Sequence, residues 1–203
     1  MKKIISILMA LVFVFSFAAC GGKTKDTSSV IDKGNEIKAL LEKGKLDGVD
    51  FPLGTDNKVI REHYEDLIDA LESAHSSQGG HIHTGEEVMF EVMEGSKTIT
   101  MDAGNTKFFY EKAKKNNGIS VICTFKDVYG FVVGETTKNE IEESLASLNG
   151  KTVIATEDDL YFLSVVSKAI ILRYSVGDFQ LDFYFSDNTL IAAVIMNTKN
   201  WTL

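Results

Sequence analysis

The chain has 203 residues, 44% hydrophobic and 25% charged, and its 21 Lys and Arg against 29 Asp and Glu give a formal charge of −8 at pH 7. That length suffices for one sizeable core or two small lobes sharing one. The acidic balance, without any basic run, repels phosphate and so speaks against a nucleic-acid partner; it also disfavours flat adsorption on an anionic membrane.

Met1-Lys2-Lys3 is a cationic start, and Ile4 to Phe17 is an apolar run of about the length a secretory signal uses. The run is shorter than the roughly 20 apolar residues of a membrane-spanning helix, and it leads straight into Gly21-Gly22. At its end Phe17-Ala18-Ala19-Cys20 resembles a lipobox, with Phe where Leu is usual. The resemblance implies a signal peptide over residues 1–19 and a diacylglyceryl thioether on Cys20. That lipid would hold the protein on the outer, extracytoplasmic face of the cell membrane, since one acyl chain is marginal and two anchor stably. An ordinary signal peptide that happens to contain a cysteine is the alternative. Cleavage after Ala19 takes 19 residues from 203 and leaves 184, with 19 basic against 29 acidic residues once Lys2 and Lys3 are gone. With Cys20 acylated, Cys123 is the one thiol left, so the mature monomer can form no intrachain disulfide. Residues 20–30 are Gly/Lys/Thr/Ser-rich and read as a flexible tether; residues 31–203 read as a single α+β domain.

Ile31, Ile37, Leu40 and Leu41 predict a short helix ending near Gly44. Two related stretches follow. Phe51-Pro-Leu-Gly54-Thr-Asp-Asn-Lys58 returns eighty positions later as Phe131-Val-Val-Gly134-Glu-Thr-Thr-Lys138, with Phe, Gly and Lys in register. Each opens a helix pattern. In the first, Thr55 or Asp56 is the N-cap and Ile60, Tyr64, Leu67, Ile68 and Leu71 form the stripe. In the second, Thr137-Lys-Asn-Glu140 has capping-box spacing, Ile141, Leu145 and Leu148 share a face, and Gly150 stands where the helix stops. Strand patterns come next: Glu87–Met93 and Ser96–Met101 joined at Glu94-Gly95, then Lys107–Tyr110 and Ile119–Phe125. The second half predicts strands at Lys151–Ile154, Leu160–Val166, Ala169–Val176, Phe179–Phe185 and Leu190–Met196, with hairpin turns at Gly177-Asp178 and Asp187-Asn188. Leu181, Phe183 and Phe185 alternate with Asp182, Tyr184 and Ser186, which predicts one buried and one wet face. The fold class expected is therefore α+β, in two tandem helix-plus-antiparallel-sheet repeats of about 46–128 and 129–203.

The pattern Gly44-Lys-x-x-Gly48-x-x-Phe51-Pro52-Leu53-Gly54, a helix, a strand run and a second Phe-x-x-Gly unit resembles the YjgB-like secreted domains of Firmicutes, which have no established biochemical role. The tandem layout is similar to the β-lactamase-inhibitor-protein-like fold of outer-membrane assembly lipoproteins and a secreted enzyme inhibitor. The first unit departs from the family's Trp-Gly-x-Pro helix ending, with Leu67-Ile-Asp-Ala-Leu71 running on to Ser76.

Chemistry-bearing residues are few. His81 and His83, with Glu86 beside them, share a face if extended and are candidate zinc or copper ligands; an exposed strand edge with ordinary histidines fits the same residues. There is no Gly-x-Ser-x-Gly elbow, no His-Glu-x-x-His and no phosphate-cradling loop, so no catalytic residue and no cofactor is expected. Carboxylate pairs such as Asp158-Asp159 read as solvated turns. Cys123, in the apolar run Ile119–Phe125, reads as a buried inert thiol sharing a face with Val121 and Phe125. Phe108-Phe109-Tyr110 cannot all bury on one face, which predicts an exposed aromatic patch of the kind that binds proteins. The expectation is a lipid-anchored module that binds a protein or envelope component through a partner the sequence does not identify; the alternative is a small ligand- or metal-binding lipoprotein using the region of His81 and His83.

Overall fold

The structure, a computed structural model, describes residues 27–66, 90–95, 98–111, 118–163 and 168–201, with the backbone alone for 27–32 and 90–91. Cys20, the signal peptide, the stripe residues Leu67, Ile68 and Leu71, and the candidate ligands His81, His83 and Glu86 lie outside the described residues.

The fold is α+β. Helix α1 (Thr27–Leu41) begins inside the stretch that reads as tether, and the helical residues 57–66 (α2) follow. Four strands come next: β1 (Phe90–Glu94), β2 (Thr98–Ala103), β3 (Thr106–Glu111) and β4 (Val121–Thr124). After them come α3 (Lys138–Ser144), β5 (Lys151–Ile154), α4 (Glu157–Leu160), β6 (Ile170–Val176), β7 (Phe179–Ser186) and β8 (Thr189–Asn197). All eight strands form one sheet in the order β1-β2-β3-β4-β8-β7-β6-β5, and every neighbouring pair is antiparallel. Two four-stranded meanders thus meet through their last strands, β4 and β8.

Local chemistry sets the element boundaries. Thr137 and Glu140 make the reciprocal capping box at α3, the Thr137 N–H donating to Glu140 Oε2 at 2.8 Å. At α2 the Lys58 N–H donates to Asp56 Oδ1 at 2.8 Å, so Asp56 is the cap and Thr55 instead donates to the Pro52 carbonyl. The stop after α3 differs from expectation. A 3₁₀ turn at Ala146–Leu148 ends on Asn149 at φ +52°, the left-handed conformation that Asn tolerates. Gly150 serves another purpose: a Cβ there would lie 2.5 Å from the Tyr174 ring. The Asp187-Asn188 turn has φ of +48° and +68°, as a two-residue hairpin with the twist of its strands requires.

One sheet face packs against the helices. Ile37 and Leu41 of α1, Ile60 of α2 and Ile141 of α3 join Met101, Phe108, Leu172, Leu181, Phe183 and Ile195 in a single core. Phe51 meets Phe108 edge-on with centroids 5.9 Å apart, Phe131 meets Phe183 likewise at 5.7 Å, and Lys33 Nζ sits 3.9 Å over the Phe131 ring and pins α1.

The opposite face is also covered, which overturns three expectations. Residues 160–163 do not continue as a strand: Thr156 and Asp159 form a second capping box, α4 follows, and Phe162 and Leu163 turn down onto the sheet. They build a second core with Phe109, Val121, Cys123, Ile171, Tyr184, Val194 and Trp201. Asp182 and Tyr184, expected on a wet face, are therefore fully buried. Phe108, Phe109 and Tyr110 are all buried as well, because each face has its own cover, and the aromatic recognition patch does not form there.

Candidate functional site

The second face carries the densest polar chemistry of the described fold. The Gly177-Asp178 turn sets Arg173 of β6 directly opposite Asp182 of β7. Arg173 grips Asp182 through two nitrogens, Nε to Oδ1 at 2.9 Å and Nη2 to Oδ2 at 2.7 Å. The same Nη2 donates to Asp159 Oδ1 at 2.8 Å. Gln180 Nε2 donates to Asp182 Oδ2 at 3.0 Å, and the Tyr184 hydroxyl donates to the Asp159 carbonyl at 3.1 Å. Asp159 also accepts from the Thr156 N–H at 2.9 Å, so one carboxylate closes a helix cap and an ion pair at once. It is not the solvated turn residue its neighbour Asp158 suggests.

Burial pushes the Asp182 carboxyl above its ordinary value, with Arg173 pulling the other way. Asp159 is less deeply placed. Burial raises it too, but the Thr156 and Arg173 donors outweigh that and hold it below the ordinary carboxylate value. The Arg173 guanidinium is driven further up, first by its hydrogen bonds to Asp182. The triad has two carboxylates on one guanidinium, a surplus of one negative charge.

Cys123 lies on this same face and is fully buried, with Val121 and Phe125 on its side and Ile122 in the opposite core, as strand alternation predicts. Burial pushes its thiol up to about 12, opposed by Lys107. A thiol so held is protonated at neutral pH and a poor nucleophile. Lys107 is itself paired with Asp102 at 3.2 Å.

Elsewhere, a pocket of about 450 Å³ opens at the β5 edge, lined by Ile154, Lys168, Ile170, Phe185, Asp187 and Asn188 among others. Ile154 in its lining is 81% exposed. Among the described residues no group of three or more His, Cys, Asp or Glu side chains gathers as metal ligands, and no helix is long and apolar enough to cross a membrane. Among the described residues Tyr110 Oη and Trp201 Nε1 are buried without a hydrogen-bond partner.

No family model matches the chain, and no curated protein matches it. The crystal structure of a DUF4309 family protein (YjgB) from Bacillus subtilis is similar at 16% identity and a TM-score of 0.38, covering 85% of this chain and 99% of that one.

The candidate residues of the sequence and those of the structure do not coincide. Arg173, Asp182, Asp159 and Gln180 were not singled out from the sequence. A signal for the first pair exists, since a two-residue turn at 177–178 forces 173 to face 182. The pairing with Asp159, across the β5–β6 connection, has no such local signature.

Proposed function

We propose that this chain is a lipid-anchored extracytoplasmic binding module, held at the outer face of the cell membrane through Cys20 and engaging a protein or envelope component. The observation that carries the reading is the short apolar run of residues 4–17 ending at Phe17-Ala18-Ala19-Cys20.

The module is built from two copies of one helix-plus-sheet unit, β-lactamase-inhibitor-protein-like in layout and related to the YjgB-like domains. Matching backbone contacts support this. Gly54 and Gly134 have φ of +87° and +85°, and their N–H groups donate to Ile119 and Leu190 carbonyls, each at 2.8 Å. In return Ile119 donates to Thr55, one residue past its glycine, and Leu190 to Thr136, two residues past, each at 2.9 Å, so the return bond is shifted by one position between the copies. Both glycines precede a helix and tie it to the start of the last strand of a meander.

Fractionation tests the anchor: Cys20→Ala should leave the membrane fraction or stay unprocessed. Membrane retention of a processed, mature-sized Cys20→Ala chain would refute it. Elemental analysis of purified protein tests the alternative, because stoichiometric zinc or copper lost on replacing His81 and His83 would make this a metal-binding lipoprotein instead. Cross-linking in intact envelope followed by affinity capture identifies the partner.

A further inference from the structure

We infer that residues 156–163 form a strap that opens from the sheet as a unit while the eight strands stay paired, so that access to the second face and to Cys123 is governed by strap opening and not by global unfolding. The way the strap is attached carries the inference. Among the described residues its backbone-to-backbone hydrogen bonds are all internal: Leu160 N–H to Thr156, Tyr161 N–H to Asp158 and Leu163 N–H to Leu160. Only at its base does Ala155 donate to Ala169, at 3.0 Å. The polar ties to the sheet are made by side chains. They are Arg173 to Asp159, Tyr184 to the Asp159 carbonyl, and the Tyr161 hydroxyl to Thr98 Oγ1 at 2.8 Å.

The open state is electrostatically balanced. When Asp159 leaves for water, Arg173 keeps its three hydrogen bonds to Asp182, and a triad with one surplus negative charge becomes a neutral pair. No strand ladder is broken, because β6 to β8 and β2 to β4 are joined by their own registers. Opening also lets water reach Trp201 Nε1, buried in the second core with no acceptor among the described residues. Against these stand Phe162 and Leu163, whose burial keeps the closed form dominant. In the first half only three residues, 95–97, separate β1 from β2, and the Gly95 N–H donates to the Thr98 carbonyl.

The test uses the full chain carrying Cys20→Ser in detergent, so that Cys123 is the sole thiol, labelled with a thiol reagent across sub-denaturing urea. Local opening predicts a labelling rate that rises with urea much less steeply than the global unfolding constant does. Asp159→Ala should speed labelling about ten- to hundred-fold, the range for losing hydrogen bonds to a charged group. Ile60→Val lies in the opposite core and should lower the global urea midpoint while leaving the labelling rate at the wild-type value. Labelling that follows the global urea dependence, and that Ile60→Val accelerates in proportion to its lost stability, would overturn the inference. So would an Asp159→Ala variant that labels no faster than wild type.

Discussion

Replacing Arg173 with Met removes the guanidinium from a carboxylate that has no exposed surface. Among the described residues Asp182 is then left with the Gln180 amide at 3.0 Å as its remaining polar partner. Breaking a buried pair in this way costs about 3–5 kcal/mol, because the other charge is stranded in a medium that solvates it poorly. The Arg173 side chain is 25% exposed, so water already reaches one side of the cluster and the lower end, about 3 kcal/mol, is expected. Asp182→Leu should cost less, about 1–2 kcal/mol, since Arg173 keeps its 2.8 Å contact with Asp159. The double variant strands no buried charge and should be more stable than Arg173→Met alone. The pH dependence has a definite sign. Without Arg173, burial raises the Asp182 carboxyl further above 3.8, so the folded form binds the proton more tightly than the unfolded chain. The penalty is full above that raised value and disappears as pH falls through it to 3.8. Urea unfolding followed by far-UV circular dichroism, at neutral pH and near pH 4, measures all of this. A loss below about 1 kcal/mol for Arg173→Met at neutral pH, or a double variant no more stable than it, would refute the reasoning.

Gly150→Ala drives a methyl into the Tyr174 ring and should lower stability by about 1–3 kcal/mol in the same assay, since the crowded atoms belong to a buried ring and not to a flexible chain end. Gly54→Ala and Gly134→Ala meet open space, so only backbone strain acts; each should cost about 1–2 kcal/mol and the two by closely similar amounts, and a large inequality would count against the duplicated unit. Asp159→Asn should lose most against wild type at neutral pH and less on acidification: the native carboxyl is held low, so its contribution is present above 3.8 and fades as pH falls below it. Cys123→Ser buries an unpaired hydroxyl and should cost about 1–3 kcal/mol with no effect on binding of a captured partner.

The sequence alone determined what a few consecutive residues decide among themselves. The Thr137–Glu140 cap, the turns at 177–178 and 187–188, the alternation around Cys123 and the bounds of β6, β7 and β8 to within a residue or two all act through short-range backbone bonds or strict strand periodicity. The paired Phe-x-x-Gly stretches were legible for the same reason, since a glycine at positive φ before a cap is a local requirement. Cys20, His81, His83 and Glu86 rest on the sequence alone, outside the described residues. Only the tertiary structure decided what covers the second face. Tyr161-Phe162-Leu163 is apolar enough to be a strand, and it became a strap because Thr156 and Asp159 cap a helix turn before it and because Thr98, 63 residues away, receives Tyr161. Phe162 and Leu163, folded back onto the sheet, share a core with Tyr184, and Asp159 meets Arg173, so Tyr184 and Asp182 are buried where alternation alone places them in water. Periodicity reports which residues share a face; what packs on that face depends on segments distant in the chain, whose approach no local pattern encodes.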